Sequence, residues 1–137
     1  MSRLLILDAS ISTRVARELK ERGRPAVSTA ELGLGRLLDD ALLRALAERD
    51  DEWVLVAADD KMPFEHPDTV KETGATIATV DGAWEAFCQR HVLSLTQEQF
   101  KRDSVHRWAH VIAEQDAQEV RRYTPMNHAL WRPKKRW

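Results

Sequence analysis

The sequence predicts an α/β fold with a parallel sheet of about four strands, flanking helices and a C-terminal helical extension. Two short apolar runs, Leu4–Leu7 and Trp53–Ala57, are typical of strands that are buried on both faces. Segments whose apolar residues recur at helical spacing lie between such runs. Strands that alternate with helices favour a parallel sheet with right-handed crossover connections.

The first five elements are predicted to be strand, helix, strand, helix and strand. After the first apolar run, Ser12 or Thr13 can cap a helix. Residues 25–29 form a short segment that is compatible with a β-strand, and this segment is the predicted second strand. Asp39-Asp40 is expected to cap a second helix that leads to the second apolar run.

The remainder of the chain is predicted to be mainly helical. After Asp60, Pro63 and Pro67 indicate a break, and a short helix follows over 68–72. A strand over 76–80 then completes the sheet. A helix over 83–92 and a longer one from Thr96 to about Val120 follow. The domain boundaries are 1–82 for the core, 83–120 for the helical extension and 121–137 for a basic aromatic tail.

The net charge of -1 hides two opposed parts of the chain. The chain has 21 Lys and Arg and 22 Asp and Glu, but six of the bases and none of the acids lie from Arg121 onward. The body therefore carries about -7 and the tail about +6. An acidic body suggests a bound group that offsets the repulsion between its carboxylates, and a basic tail suggests an anionic partner.

Composition also excludes several classes of protein. A single cysteine, Cys88, cannot form an intrachain disulfide. No run reaches the roughly 18 apolar residues of a membrane span, and the N-terminal apolar run is too short for a signal peptide. A cytoplasmic location without membrane contact is therefore expected.

Aspartates follow three of the predicted strands, at Asp8, Asp59 and Asp81. Because parallel sheets bind ligands at the carboxyl ends of their strands, we expect these side chains to lie at one edge. Mg²⁺ takes oxygen ligands and suits phosphodiester hydrolysis, in which it activates water and stabilises charge on the phosphate. For any one of these acids, ordinary turn or helix-cap chemistry is an equally good explanation.

Three segments of the chain carry a resemblance to a known family. They are Leu4-Leu5-Ile6-Leu7-Asp8, Glu31-Leu32-Gly33-Leu34 ahead of Asp39-Asp40-Ala41-Leu42-Leu43, and Val54-Leu55-Val56-Ala57-Ala58-Asp59. In this order they resemble the PIN-like nucleases, in particular the short form related to VapC-type toxins of bacterial toxin–antitoxin pairs. The similarity covers roughly residues 3–82.

The resemblance implies a function and a set of site residues. By position, Asp8, Asp40 and Asp59 are the catalytic acids and hold Mg²⁺ or Mn²⁺, and the adjacent Asp39 and Asp60 can substitute or assist as ligands. The implied activity is endoribonuclease cleavage of RNA. A cognate antitoxin protein is the implied partner, and homodimer formation is left open.

Two departures from the family pattern keep a second function open. Short members have Glu-Asn after the first aspartate, whereas this chain has Ala9-Ser10, so an acid is missing although Ser10 can donate a hydrogen bond. The later Asp-x-Asp-Phe is here Asp59-Asp60-Lys61-Met62, with a cation in place of the second acid. The alternative is a catalytically degenerate PIN-like module that binds RNA or a partner protein without cleavage.

The tail interleaves bases with aromatic residues. Bases neutralise phosphates and aromatic rings stack on unpaired bases, so RNA contact is slightly favoured over docking on a partner or on this protein's own body. His106 and His110 have the i, i+4 spacing of a zinc site, but without a third ligand we expect packed or solvent-facing histidines. The candidate contact residues of the tail are Arg121, Arg122, Trp131, Arg132, Lys134, Lys135 and Arg136.

Overall fold

The computed structural model describes residues 3–58, 61–80 and 97–130. Its strands are β1 (Leu4–Leu7), β2 (Ala26–Ser28), β3 (Trp53–Ala57), β4 (Ile77–Thr79) and β5 (Arg122–Tyr123). Its helices are α1 (Thr13–Glu21), α2 (Asp39–Ala47), α3 (Met62–Glu65), α4 (Pro67–Thr73) and α5 (Gln97–Gln118), and a 3-10 helix covers Pro125–Leu130. Strands and helices therefore alternate as predicted.

The strands form one sheet in the order β2-β1-β3-β4-β5. β1 to β4 pair in parallel, with Leu7 opposite Ser28 on one side and opposite Val56 on the other. β5 pairs antiparallel with β4. The prediction of about four parallel strands is therefore one strand short, because β5 lies in the segment predicted as an irregular tail. Two residues are too few to show the alternation that marks a strand.

Helices cover both faces of the sheet. Leu5 and Leu7 pack on the face covered by α1 and α5, whereas Ile6 packs on the face covered by α2 and α4. These three side chains are almost completely buried. Burial on both faces explains why β1 and β3 are continuous apolar runs rather than alternating ones.

The starts of α1 and α2 differ. Ser12 caps α1, as predicted, because its Oγ accepts a hydrogen bond from the Arg14 N–H at 3.2 Å. α2 is preceded by Leu38, which provides no side-chain cap, and Asp39 and Asp40 occupy its first turn. The predicted Asp39-Asp40 cap is therefore wrong. First-turn carboxylates still interact favourably with the helix dipole, and their oxygens have the other partners described below.

The segment after β3 contains more helix than predicted. The predicted helix over 68–72 is α4, which ends at Gly74 with φ of 70°. α3 was not predicted because Pro63 and Pro67 suggest a break, but both prolines lie at the start of a helix, where the missing N–H costs nothing. The predicted helix over 83–92 lies outside the described residues. Within the described ranges, no helix is long and apolar enough to cross a membrane.

An ion-pair cluster fastens α5 and β5 to the core. Asp116 accepts hydrogen bonds from Arg24 Nε at 2.6 Å and Nη2 at 3.2 Å, and from Arg122 Nη2 at 2.7 Å. The three side chains are 16–17% exposed. Burial raises the pKa of Asp116, but the hydrogen bonds and charges of the two guanidinium groups bring that pKa below its ordinary value. The cluster joins the loop before β2 to the C-terminal helix.

Candidate metal centre

The carboxyl ends of β1 to β4 lie along one edge of the sheet, since these strands are parallel. Asp8 directly follows β1, and its N–H donates to Val56 O at 2.9 Å. The first turn of α2 lies at the same edge, because α2 leads from the end of β2 back to the start of β3. This is the edge at which parallel sheets bind ligands.

The Asp8 carboxylate is oriented by its own turn. Asp8 Oδ1 accepts a hydrogen bond from the Ala9 N–H at 2.8 Å, and Oδ2 accepts one from the Ser10 hydroxyl at 3.0 Å. The hydrogen bond expected from Ser10 is therefore confirmed. Each carboxylate oxygen has a further lone pair, so the turn orients the Asp8 side chain and leaves it able to bind another group.

Three acids and a histidine form a cluster between α2 and the α3–α4 junction. His66 Nδ1 lies 3.0 Å from Asp40 Oδ1, and His66 Nε2 lies 3.3 Å from Asp39 Oδ2. Glu65 adds a third carboxylate: one ligand atom each from Asp39, Glu65 and His66 lies within 4.8 Å of the others. We call Asp39, Asp40, Glu65 and His66 the acid–histidine cluster.

Asp40 has a different environment from Asp39. The buried Thr69 donates a hydrogen bond from Oγ1 to Asp40 Oδ1 at 2.7 Å. This bond is the main reason that the pKa of Asp40 lies below its ordinary value; burial opposes the shift, and His66 and Arg44 add to it. A carboxylate that accepts from one imidazole nitrogen leaves the other nitrogen available to a metal. Asp40 is thus a positioning residue for His66.

The acid–histidine cluster fits a divalent cation. Its ligand-atom separations of up to 4.8 Å are close to the roughly 4 Å that separates opposite ligands of an ion with bonds of about 2.1 Å. Carboxylate ligands suit Mg²⁺ and Mn²⁺, whereas an imidazole shifts the preference toward transition metals. The donor set therefore favours Mn²⁺ over Mg²⁺.

Three of the five predicted metal-ligating acids lie in the described part of the chain. Asp39 belongs to the group of three ligands, and Asp40 adjoins that group through His66. Among the described residues, Asp8 belongs to no group of three ligand atoms within 4.8 Å. The other two predicted acids, Asp59 and Asp60, lie outside the described residues.

Three residues of the site were not predicted from the sequence. Glu65 and His66 lie between Pro63 and Pro67, where the sequence predicts no helix, and Thr69 lies in the helix predicted over 68–72. They reach Asp39 and Asp40 only through the packing of α4 against α2. The sequence carries one signal for this part of the site: Glu65 is next to His66. Both follow β3, which ends at the carboxyl edge of the sheet.

The structure describes two of the seven candidate contact residues of the tail, Arg121 and Arg122. Arg122 lies in β5 and pairs with Asp116 at 2.7 Å and with Glu119 at 3.5 Å. For this residue the arrangement matches docking on the protein's own body, the alternative to RNA contact. Arg121 is half-buried and has a φ of 56°. The other candidate contact residues, Trp131, Arg132, Lys134, Lys135 and Arg136, lie outside the described residues.

The two histidines of α5 each pair with a glutamate. His106 Nδ1 lies 2.8 Å from Glu18 Oε1, and His110 Nε2 lies 2.9 Å from Glu114 Oε1. The hydrogen bond with His106 is the main cause of a lowered pKa of Glu18. Both histidine side chains are exposed, as expected for solvent-facing residues. In the described ranges neither belongs to a group of three possible metal ligands.

Comparisons of the chain with protein-family models, with curated proteins and with solved structures find no match. The geometry of the carboxyl edge therefore carries the functional argument. Its main features are the oriented Asp8 carboxylate and the acid–histidine cluster.

Proposed function

We propose that this protein is a metal-dependent endoribonuclease of the PIN-like type. The observation that carries the proposal is the acid–histidine cluster at the same edge of the sheet as Asp8. Acidic side chains this close repel one another unless a cation or proton lies between them. A cation held mainly by carboxylates, next to a further aspartate, is a common arrangement for phosphodiester hydrolysis.

The chain's own residues have distinct tasks in the proposed reaction. A divalent cation, when bound, supplies stabilisation of the charge that develops on the scissile phosphate. Asp39, Glu65 and His66 would hold the cation, while Asp40 keeps the imidazole in place. Asp8 is the further catalytic carboxylate, and the Ala9 N–H and the Ser10 hydroxyl fix its orientation.

RNA as the substrate, and toxin as the biological role, rest on the resemblance of residues 3–82 and on the basic aromatic tail. In this proposal a cognate antitoxin protein neutralises the enzyme. A small upstream reading frame that encodes a DNA-binding protein would support this role. The direct test is the growth of cells that express the chain. We expect the parent to inhibit growth and Asp8→Asn not to inhibit it.

A catalytically degenerate module that binds RNA or a partner protein is the second candidate. The observation that favours it is the Asp8 turn, in which both carboxylate oxygens already accept hydrogen bonds from neighbouring residues. Ala9 adds no carboxylate at the position where short PIN-like proteins carry an acid. Such a module would have a similar fold. It would bind RNA or a partner protein and would not hydrolyse RNA.

The decisive experiment is cleavage of a single-stranded RNA by the full chain in Mn²⁺, in Mg²⁺ and in EDTA. We expect cleavage with either metal and none in EDTA. Asp8→Asn is expected to lower the rate at least about 100-fold, because loss of an outer-shell residue at a metal site already costs about 10- to 100-fold and Asp8 is proposed to act in catalysis directly. RNA binding without cleavage under all three conditions would establish the degenerate module instead.

Asp51→Asn is the matched control for this experiment. Asp51 is an exposed carboxylate that pairs with Arg49 at 2.7 Å and precedes β3, at the opposite edge of the sheet from Asp8. The same change of one carboxylate to an amide is made there, away from the candidate site. We expect the cleavage rate of Asp51→Asn to equal that of the parent.

A further inference from the structure

A cleft lies between the start of α1 and the middle of α5, next to the Asp8 turn. Its lining includes Ser10, Arg14, Ser104 and Trp108, and its volume is about 550 Å³. Ligand sites in proteins commonly have volumes of roughly 300–1,000 Å³. The cleft is on the face of the sheet covered by α1 and α5, whereas the acid–histidine cluster involves helices of the other face.

Ser10 connects the cleft to the candidate catalytic centre. Ser10 lines the cleft, and its hydroxyl donates the hydrogen bond to Asp8 Oδ2 at 3.0 Å. A ligand that contacts Ser10 is therefore one hydrogen bond away from the Asp8 carboxylate. The cleft is in the right place to hold a part of a substrate that extends away from the reacting phosphate.

The α1 side of the cleft favours an anion. α1 has no acidic residue in its first turn, so no carboxylate there offsets the positive end of the helix dipole. Arg14 lies in this turn and is exposed, and Arg17 lies one turn further along the same helix. Neither guanidinium has an ion-pair partner among the described residues. Both are available to contact phosphate groups.

The α5 side offers an aromatic ring and a polar group. Trp108 is half-buried: it packs against the core that α1 and α5 share, and it also lines the cleft. Ser104, one turn earlier on α5, has a buried hydroxyl without a hydrogen-bond partner in the part of the chain that the structure describes. Buried hydroxyls normally have a partner, so this one suits a ligand with a polar group.

We propose that the cleft binds a nucleotide of a single-stranded RNA, with its base stacked on Trp108 and a phosphate contacted by Arg14. This inference rests on the proposed function, because it takes RNA to be the ligand. The combination of an aromatic face with cations is typical of proteins that bind single strands. A base-paired duplex presents no free base face to Trp108, so single strands are preferred.

The test is binding of a fluorescently labelled ten-nucleotide RNA to the full chain in EDTA, measured by anisotropy. Arg14→Gln is expected to weaken binding about fivefold. It is also expected to reduce the magnitude of the slope of log K, the association constant, against log salt concentration by about 0.7, the contribution of one phosphate contact in a single strand. Trp108→Leu is expected to weaken binding about 5- to 150-fold, the range for one lost stacking contact. Trp108→Phe, which retains an aromatic ring, is expected to restore most of the affinity.

Arg49→Gln is the matched control, because Arg49 pairs with Asp51 at 2.7 Å just before β3, at the opposite edge of the sheet from Asp8. Affinity within twofold of the parent in both Arg14→Gln and Trp108→Leu overturns the inference, and so does an equal loss in Arg49→Gln. Arg14 is exposed, so Arg14→Gln keeps the test valid if circular dichroism shows that Trp108→Leu is unfolded.

Binding in EDTA is measured independently of cleavage. If the parent cleaves no RNA but binding depends on Arg14 and Trp108, the proposed nuclease function is wrong and this inference stands. If the parent cleaves RNA and neither variant changes binding, the nuclease function stands and this inference is wrong.

Discussion

Substitution of Asp116 by Asn is expected to loosen the attachment of the C-terminal helix. The amide keeps the shape of the side chain but removes the charge that the guanidinium groups of Arg24 and Arg122 share. Three charge-assisted hydrogen bonds are weakened at a position that is 16% exposed. Breaking a fully buried ion pair costs about 3–5 kcal/mol, and the residual exposure and retained amide oxygen reduce this to about 3 kcal/mol.

Urea denaturation at pH 7, followed by circular dichroism, measures this loss. For a chain of this size a loss of about 3 kcal/mol corresponds to a melting temperature lower by about 10 °C. The pKa of Asp116 is lowered in the folded state, so its carboxylate stabilises the fold above the ordinary value of 3.8. That stabilisation is lost as the pH falls through the lower folded pKa.

The difference between parent and variant is therefore expected to stay constant from pH 7 down to about pH 5 and to shrink only in stronger acid. A free energy of unfolding within about 0.5 kcal/mol of the parent at pH 7 would refute the reasoning, because surface substitutions without a structural role have effects of that size.

Three further predictions concern the candidate site and the core. Thr69→Val removes the hydroxyl that donates to Asp40, so the pKa of Asp40 should rise toward its ordinary value of 3.8 in an NMR titration; an unchanged pKa would show that the bond is unimportant. Gly74→Ala should lower the free energy of unfolding by about 1 kcal/mol, because a Cβ is unfavourable at φ of 70° although it would contact nothing within 4 Å; an unchanged urea midpoint argues against this. Leu46→Ala should lower the free energy of unfolding by about 2–5 kcal/mol, since Leu46 is completely buried. A smaller loss in urea denaturation would contradict the packing described here.

The sheet core was largely predictable because its signal is local. β1 and β3 are buried on both faces, so almost every residue in them must be apolar, and this composition is visible in the sequence. β5 was not predictable, because two residues carry no periodic signal. Its position depends on contacts between distant parts of the chain, such as the antiparallel pairing of Tyr123 with Ile77 of β4.

The candidate site was predictable only in part, for a similar reason. Asp8 follows from the rule that ligands bind at the carboxyl ends of parallel strands, whereas Asp39 and Asp40 are implied by the resemblance to the PIN-like nucleases. Glu65 and His66 reach Asp39 because α4 packs against α2 through buried side chains. That packing brings together residues whose spacing along the chain has no recognisable pattern.

The central claim is that Asp39, Glu65 and His66 bind a divalent cation, and calorimetric titration of the full chain with Mn²⁺ tests it most directly. We expect saturable binding below millimolar Mn²⁺ that is weakened at least about tenfold by His66→Ala. His106→Ala is the matched control, because His106 pairs with Glu18 away from the site, and it should bind as the parent does. No heat of binding at millimolar Mn²⁺, or equal binding by parent and His66→Ala, would contradict the claim.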